Sequence, residues 1–358
     1  MLHPAFTSLP PRETRPHPHT GSLAGWAIPV KDGTDIAGVQ TTHGNPQRAY
    51  VATTTDPFVL DLLARGAEIP AKTLTSELGA TCYAERPGVP VLESPAYPGC
   101  TPGGSSTGAA VVVADGTVRA AHGTDAGGSI RVPAAACEVV GFKPASQGLS
   151  ANGFLTRTVT DQYTLCGWSR PKRRPVRIGV LTEGIFADPD VDDRRGALVE
   201  KLAGALDFDV VALKPYRESR ETYAHFSTTI TASFRNTDPL DSDYIAWLVE
   251  QSHRLTRAHI EAAAAHRRAL PAMLAAQWDV DAVLSPTLAT DPPRIGYFPA
   301  LHPEESFHAQ TAWSPWCSLF NMIGTPAIAI GGVHLGSLTL TGPELLAVAE
   351  VVEKRLRD

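Results

Sequence analysis

Serine and lysine can carry out acyl transfer when a glycine-rich backbone surrounds them, and this sequence places them in three such settings. "GGSSTG" (Gly103–Gly108) holds two adjacent serines, "GTDAGGSIRVP" (Gly123–Pro133) holds Ser129, and "IPVKDG" (Ile28–Gly33) holds Lys31. A serine hydroxyl attacks a carbonyl carbon only when a base takes its proton. Lysine is such a base only where its surroundings lower its pKa from about 10.4. In "GTDAGGS" the small residues let the backbone amides of Ala126, Gly127, Gly128 and Ser129 converge on one point, as anion nests and oxyanion holes do.

Each motif taken singly has a competing reading. "GSSTG" fits the nucleophile-elbow pattern with Ser106 attacking. That fold needs a strand running straight into the turn, whereas the preceding "ERPGVPVLESPAYPGCTP" carries five prolines. A phosphate loop would need a Lys-Ser/Thr pair that "PGGSSTG" lacks. "SRPK" (Ser169–Lys172) has the spacing of a Ser-x-x-Lys pair, but Pro171 breaks the helix that would align the two. His259 and His266 lie seven residues apart on a helical pattern without a third ligand, and read as solvated surface histidines. Neither a metal nor a cofactor is expected.

Short apolar runs alternate with helical patterns from Trp26 onward, which predicts an α/β fold around a mainly parallel or mixed sheet. Strands are expected in "WAIPV", "VRAAHG", "EVVGF", "VRIGVL", "FDVVAL", "DAVLS" and "PAIAI". "TDPFVLDLLARG" predicts a helix capped by Asp56, begun by Pro57 and ended at Gly66. Asp241 to Trp278 predicts two helices or one kinked at Pro271. Residues 1–20 read as an irregular Pro/His-rich tail and 21–358 as one domain, with a core at about 24–168 and a helix-rich half at about 176–358. The charged "SRPKRRP" (Ser169–Pro175) reads as an exposed connector between them.

Taken together, Lys31, "GGSSTG" and "GTDAGGSIRVPAAACEVVGFKP" resemble the amidase signature family. The resemblance extends to "DIAGVQTTHG", "DAVLSPT" and "FNMIGTPAIAI", and so covers most of the chain. It implies the family's α/β fold, a central mixed sheet flanked by helices on both faces, and a Ser-cisSer-Lys triad, with Lys31 as base, Ser105 as the bridge after a cis peptide, and Ser129 as nucleophile. It also implies an oxyanion hole from the amides of Ala126 to Ser129. Ser106 then caps or packs the next helix. Arg131 reads in two ways, paired with a scaffold carboxylate or binding a substrate carboxylate. Asp32 would favour the charged form of Lys31 if it pointed inward. Against the family pattern, Thr107 stands where glycine is usual and Glu138 where a small residue is usual. The segments before Lys31 and after the signature are short, as in a compact variant.

The activity implied is amidohydrolysis of a linear carboxamide, a small-molecule substrate, releasing ammonia or an amine. An esterase or carbamoyl-type hydrolase (allophanate, biuret), or a partner-dependent amidotransferase subunit, stays open on the same scaffold, as does a homodimer. A net charge of -6 without a basic patch argues against nucleic acid as a partner. No apolar run approaches the ~18 residues of a membrane span. Five cysteines without C-x-x-C spacing suit a reducing compartment, so the expected location is cytoplasmic.

Overall fold

The computed structural model describes residues 3–10, 20–172 and 174–358. Its first half contains β1 (Phe6–Ser8), β2 (Val30–Lys31), β3 (Gln40–Thr41), β4 (Tyr50–Val51), α1 (Pro57–Ala64), β5 (Lys72–Thr73) and α2 (Thr107–Ala114). There follow β6 (Ala120–Asp125), α3 (Arg131–Ala136), β7 (Val140–Lys143), β8 (Ala151–Thr156) and α4 (Val159–Cys166). The second half contains β9 (Arg177–Val180), α5 (Asp193–Ala205), β10 (Asp209–Ala212), α6 (Ser219–Ala232), α7 (Asp243–Arg254) and α8 (Arg257–Ala275). It closes with β11 (Ala282–Pro286), α9 (Pro303–Trp313), α10 (Leu319–Met322), β12 (Ala327–Ile330), β13 (Val333–Ser337) and α11 (Gly342–Arg357).

Eight strands form one mixed sheet in the order β10-β9-β11-β13-β12-β7-β8-β6, parallel at β10-β9-β11 and antiparallel elsewhere. Alternation along the strands separates its two faces. Val140, Phe142, Leu284, Ile328, Ile330 and Leu335 pack on one side with residues of α4, α5 and α11. Ala329 faces a second cluster with α2 and α3, and Val283 and Ala327 face a third with α6, α8 and α10. Each of the seven expected strand runs contains a strand, and six of them join this sheet. "WAIPV" contributes β2 to a smaller sheet of order β1-β5-β2.

One expectation needs correction. The N-terminal segment is not irregular throughout, because β1 pairs antiparallel with β5 and Ala5 is fully buried; residues 11–19 lie outside the described residues. A short strand needs only a few backbone bonds, which a composition-based reading does not register. The connector is exposed as expected, with Arg173 outside the described residues, and Arg170 pairs with Glu350 and Arg174 with Glu344 and Asp281. The long helical pattern does divide in two, but at Thr256, which caps α8 by accepting from the His259 amide; Pro271 lies inside α8. No helix among the described residues is long and apolar enough to cross a membrane.

Helix α2 lies very close to the small sheet. The Gly108 amide donates to the Leu74 carbonyl at 2.9 Å, and the Leu74 amide donates to that of Ala5 at 2.8 Å. A methyl group on Gly108 would sit 2.6 Å from the Leu74 nitrogen and 2.7 Å from the Ala5 oxygen, both backbone atoms. The gain in helix propensity, up to about 1 kcal/mol, is therefore outweighed by overpacking of about 1–3 kcal/mol. Gly108→Ala is expected to lower the urea midpoint with an unchanged slope; a raised midpoint would show that the contact yields.

Candidate active site

Lys31 ends β2 opposite Thr73 of β5 and is 3% exposed. Its Nζ lies 2.6 Å from Ser105 Oγ, 2.8 Å from Thr124 Oγ1 and 3.4 Å from the Thr124 carbonyl oxygen. Burial pushes its pKa down to about 7, opposed in part by the charge of Asp125. Asp32 turns away from it. One carboxylate oxygen sits 2.8 Å from Lys72 Nζ, and the group accepts from the amide and hydroxyl of Thr42. Lys72 thus takes the carboxylate that would otherwise have kept Lys31 charged.

His122 fixes the backbone of Lys31, whose amide donates to Nδ1 at 3.3 Å. Because Nδ1 accepts, Nε2 carries the proton and donates to Asn152 Oδ1 at 3.0 Å. Burial holds the imidazole neutral, pushing its pKa down to about 4 against the Asn152 bond. His122 and Thr124 were not singled out in the sequence. The available signal was the alternation of β6, which brings His122 and Thr124 to one face together.

The Gly104–Ser105 peptide bond is cis. The Thr107 hydroxyl donates to the Gly103 carbonyl at 2.7 Å and so braces the turn, which accounts for threonine at that position. Ser106 is fully buried and packs rather than caps: its hydroxyl donates to the Thr124 carbonyl at 3.3 Å, and its amide donates to the Ser129 carbonyl at 3.1 Å. Ser129 is partly exposed and lines the cleft with Ala126, Gly127 and Gly128. Among the described residues no hydrogen bond joins the Ser105 and Ser129 hydroxyls; the recorded link between their segments is the backbone bond from Ser106.

Asp125 organises the loop that carries Ser129. Its carboxylate accepts from the amides of Gly128, Ile130 and Arg131 at 2.8, 3.1 and 3.4 Å, and from Arg131 Nε and Nη2 at 3.0 and 2.9 Å. Asn321 Nδ2 adds a bond at 3.0 Å. Burial alone would raise the pKa of this group, but Arg131 holds it well below the usual carboxylate range.

The oxyanion reading is corrected here, and the alternative left open for Arg131 is decided. The Gly128 amide is used by Asp125, as are the first amides of α3, so neither Gly128 nor the helix start faces an oxyanion. Ala126, Gly127 and Ser129 have no recorded amide acceptor among the described residues and remain candidates for that role. Arg131 is not a substrate ligand. Fully buried, it also donates to the Cys317 carbonyl at 2.8 Å and to Asn321 Oδ1 at 2.7 Å, and it contacts His334 Nε2 at 2.9 Å. His266 is misread as a surface residue. It is 6% exposed and bonded to Thr222, and its cover comes from a helix distant in sequence.

The cleft over Ser129 has a volume of about 200 Å³. Its far wall is Phe226, Ile230, Phe234, Tyr244 and Phe307, from the C-terminal half, with Ser233, Gln310, Thr311, Ser314 and Ser318 as uncharged polar groups beside them. None of the lining residues is Asp, Glu, Lys or Arg.

With this geometry established, comparison with known proteins is informative. The Amidase family profile matches residues 9–167. A Mycobacterium bovis protein named "Putative amidase AmiB2" is 30% identical over 351 residues, covering 86% of this chain and 74% of its own length. "Putative amidase AmiA2" of Mycobacterium tuberculosis is 44% identical over 156 residues, a match that spans 40% of this chain and only 32% of the relative. A crystal structure of an amidase superposes with a TM-score of 0.78 at 25% identity, over 94% of this chain and 85% of that one. 6-Aminohexanoate cyclic dimer hydrolase in complex with substrate superposes at 0.82 and 24% identity, over 94% and 86%. The chain belongs to the amidase family and has its fold.

The role of Arg131 is measurable. Removing one partner of a buried, hydrogen-bonded ion pair costs about 3–5 kcal/mol, so Arg131→Met is expected to lose stability of that order in a urea titration. A substrate-binding arginine would instead leave stability intact and raise KM selectively for amides bearing a carboxylate.

Proposed function

We propose that this protein hydrolyses a neutral carboxamide through an acyl-enzyme on Ser129, with Ser105 and Lys31 relaying its proton. The observation that carries the reading is the 2.6 Å contact between buried Lys31 Nζ and Ser105 Oγ, one peptide from the turn that also touches the Ser129 segment. A neutral amine has two N–H bonds and one lone pair. Thr124 accepts the former, which leaves the lone pair for the Ser105 hydroxyl proton.

In the proposed sequence, substrate entering the cleft brings Ser129 Oγ into hydrogen-bond reach of Ser105. As Ser129 attacks the carbonyl carbon, its proton moves to Ser105 and that of Ser105 moves to Lys31. The amides of Ala126, Gly127 and Ser129 are the donors for the oxyanion. Protonated Lys31 returns the proton through Ser105 to the departing nitrogen, so a neutral amine or ammonia leaves. Water then follows the same path to release the acid. An apolar wall without charged groups supports an uncharged substrate whose acyl or amine part is hydrophobic.

Ser129→Ala is expected to abolish fluorophosphonate labelling and to reduce kcat roughly 10⁴-fold or more, while Ser106→Ala still labels. Labelling that follows Ser106 instead would overturn the assignment. Release of ammonia or amine from apolar amides by the chain alone supports hydrolysis, whereas turnover only with a second polypeptide would identify a subunit.

The pH dependence has a fixed sign. Lys31 acts as base only when neutral, so kcat/KM should be level above about pH 7 and fall tenfold per unit below it. Lys143 is also pushed down to about 7 by burial, but its Nζ is bound to the Pro144 and Thr325 carbonyls. The acid limb should therefore persist in Lys143→Met; its disappearance there would assign the titration to the wrong lysine.

A further inference from the structure

Outside the cleft, α6 and α8 bring together Glu221, His225 and His266, whose ligand atoms all lie within 4.8 Å of one another. Glu221 Oε1 is 3.5 Å from His225 Nε2 and 3.6 Å from His266 Nδ1. Both separations are long for a hydrogen bond and lie within ion-pair range. They do match the spacing between ligands on a tetrahedral ion, which is about 3.3 Å for metal bonds of about 2.0–2.1 Å.

The second observation concerns the orientation of His266. Thr222 Oγ1 lies 3.0 Å from the Glu218 carbonyl and 2.7 Å from His266 Nε2. When the hydroxyl donates to Glu218 and accepts from Nε2–H, the Nδ1 lone pair faces Glu221 and His225. Buried, bonded on its far nitrogen and open on its near one, His266 has the outer-shell support typical of a metal-ligating imidazole. The His225 ring lies against it, with centroids 4.6 Å apart and planes inclined by 37°, and is partly exposed.

We propose that Glu221, His225 and His266 form a binding site for a borderline divalent cation of the zinc class, with the fourth position open to water. Two imidazoles and one carboxylate suit that class better than calcium or magnesium, which take oxygen ligands. The site is not catalytic. It ties α6 to α8, and Phe226, the residue after His225, lies across Gly127 in the cleft wall. The bound ion would therefore hold that wall in place, a consequence that rests on the cleft being the active site; binding itself does not.

The test uses untagged, EDTA-treated full-length protein and Zn²⁺ alone, with competition against a chromophoric chelator and thermal melting. The wild type is expected to bind one equivalent and to melt several degrees higher with zinc. His225→Ala and Glu221→Gln should melt like the wild type without zinc, bind at least ~10-fold more weakly and lose the zinc-dependent rise. The absence of binding in the wild type, or wild-type affinity in either variant, overturns the site. Because none of these readouts uses catalysis, their failure is distinguishable from failure of the amidase reading.

Discussion

The buried pairing of Asp125 with Arg131 is the constraint on which the rest of the site depends. A carboxylate and a guanidinium, both fully out of water, are tolerated only because nearly every lone pair and N–H is used. Saturating Asp125 requires the amides of Gly128, Ile130 and Arg131 to turn inward, which takes them out of any other role. The same loop places Ser129 at the floor of the cleft. Asn321, from a segment nearly two hundred residues later, bonds both members of the pair and so joins the C-terminal half to this loop.

The charge of Asp125 also reaches Lys31, where it opposes desolvation. The balance depends on which lysine has a carboxylate of its own. Lys72 has Asp32 at 2.8 Å, whereas the nearest partners of Lys31 are hydroxyl and carbonyl groups. Two buried lysines on adjacent strands thus differ in surroundings, one paired with a carboxylate and one held by hydroxyl and carbonyl groups.

How much of this was legible in the sequence depended on how local the cause was. The strands were readable because apolar alternation is local, and so was helix α1, whose Asp56 caps the Phe58 amide at 2.8 Å as its sequence requires. β8 and β13 were missed: "ANGFLT" and "VHLGS" hold glycines and polar residues that pairing on both sides makes tolerable. Lys31, Ser105 and Ser129 were identified through their motifs, but the amide lost at Gly128 could not be read from glycine content. That amide is claimed by a carboxylate three residues earlier, whose inward position Arg131 and Asn321 determine. His266 was misread, and the two readings of Arg131 stayed open, for the same reason: their burial is supplied by elements distant in sequence.

The division of labour along the chain follows from these packing relations. Lys31, Ser105, Ser129 and the loop amides all come from the first half, where short strands, glycine contacts against backbone and a buried ion pair leave little room for change. The cleft wall comes from α6, α7 and α9, which contact solvent on their outer faces and meet the first half mainly through side chains. A change of side chain there alters the cleft without disturbing Asp125 or Lys31, whereas a change beside Gly104 or Gly128 meets backbone or buried neighbours within about 3 Å. The shape of the cleft is therefore freer to vary in the helical half than around Lys31 and Asp125, and the α6–α8 pair carries both Phe226 of its wall and the Glu221–His225–His266 cluster.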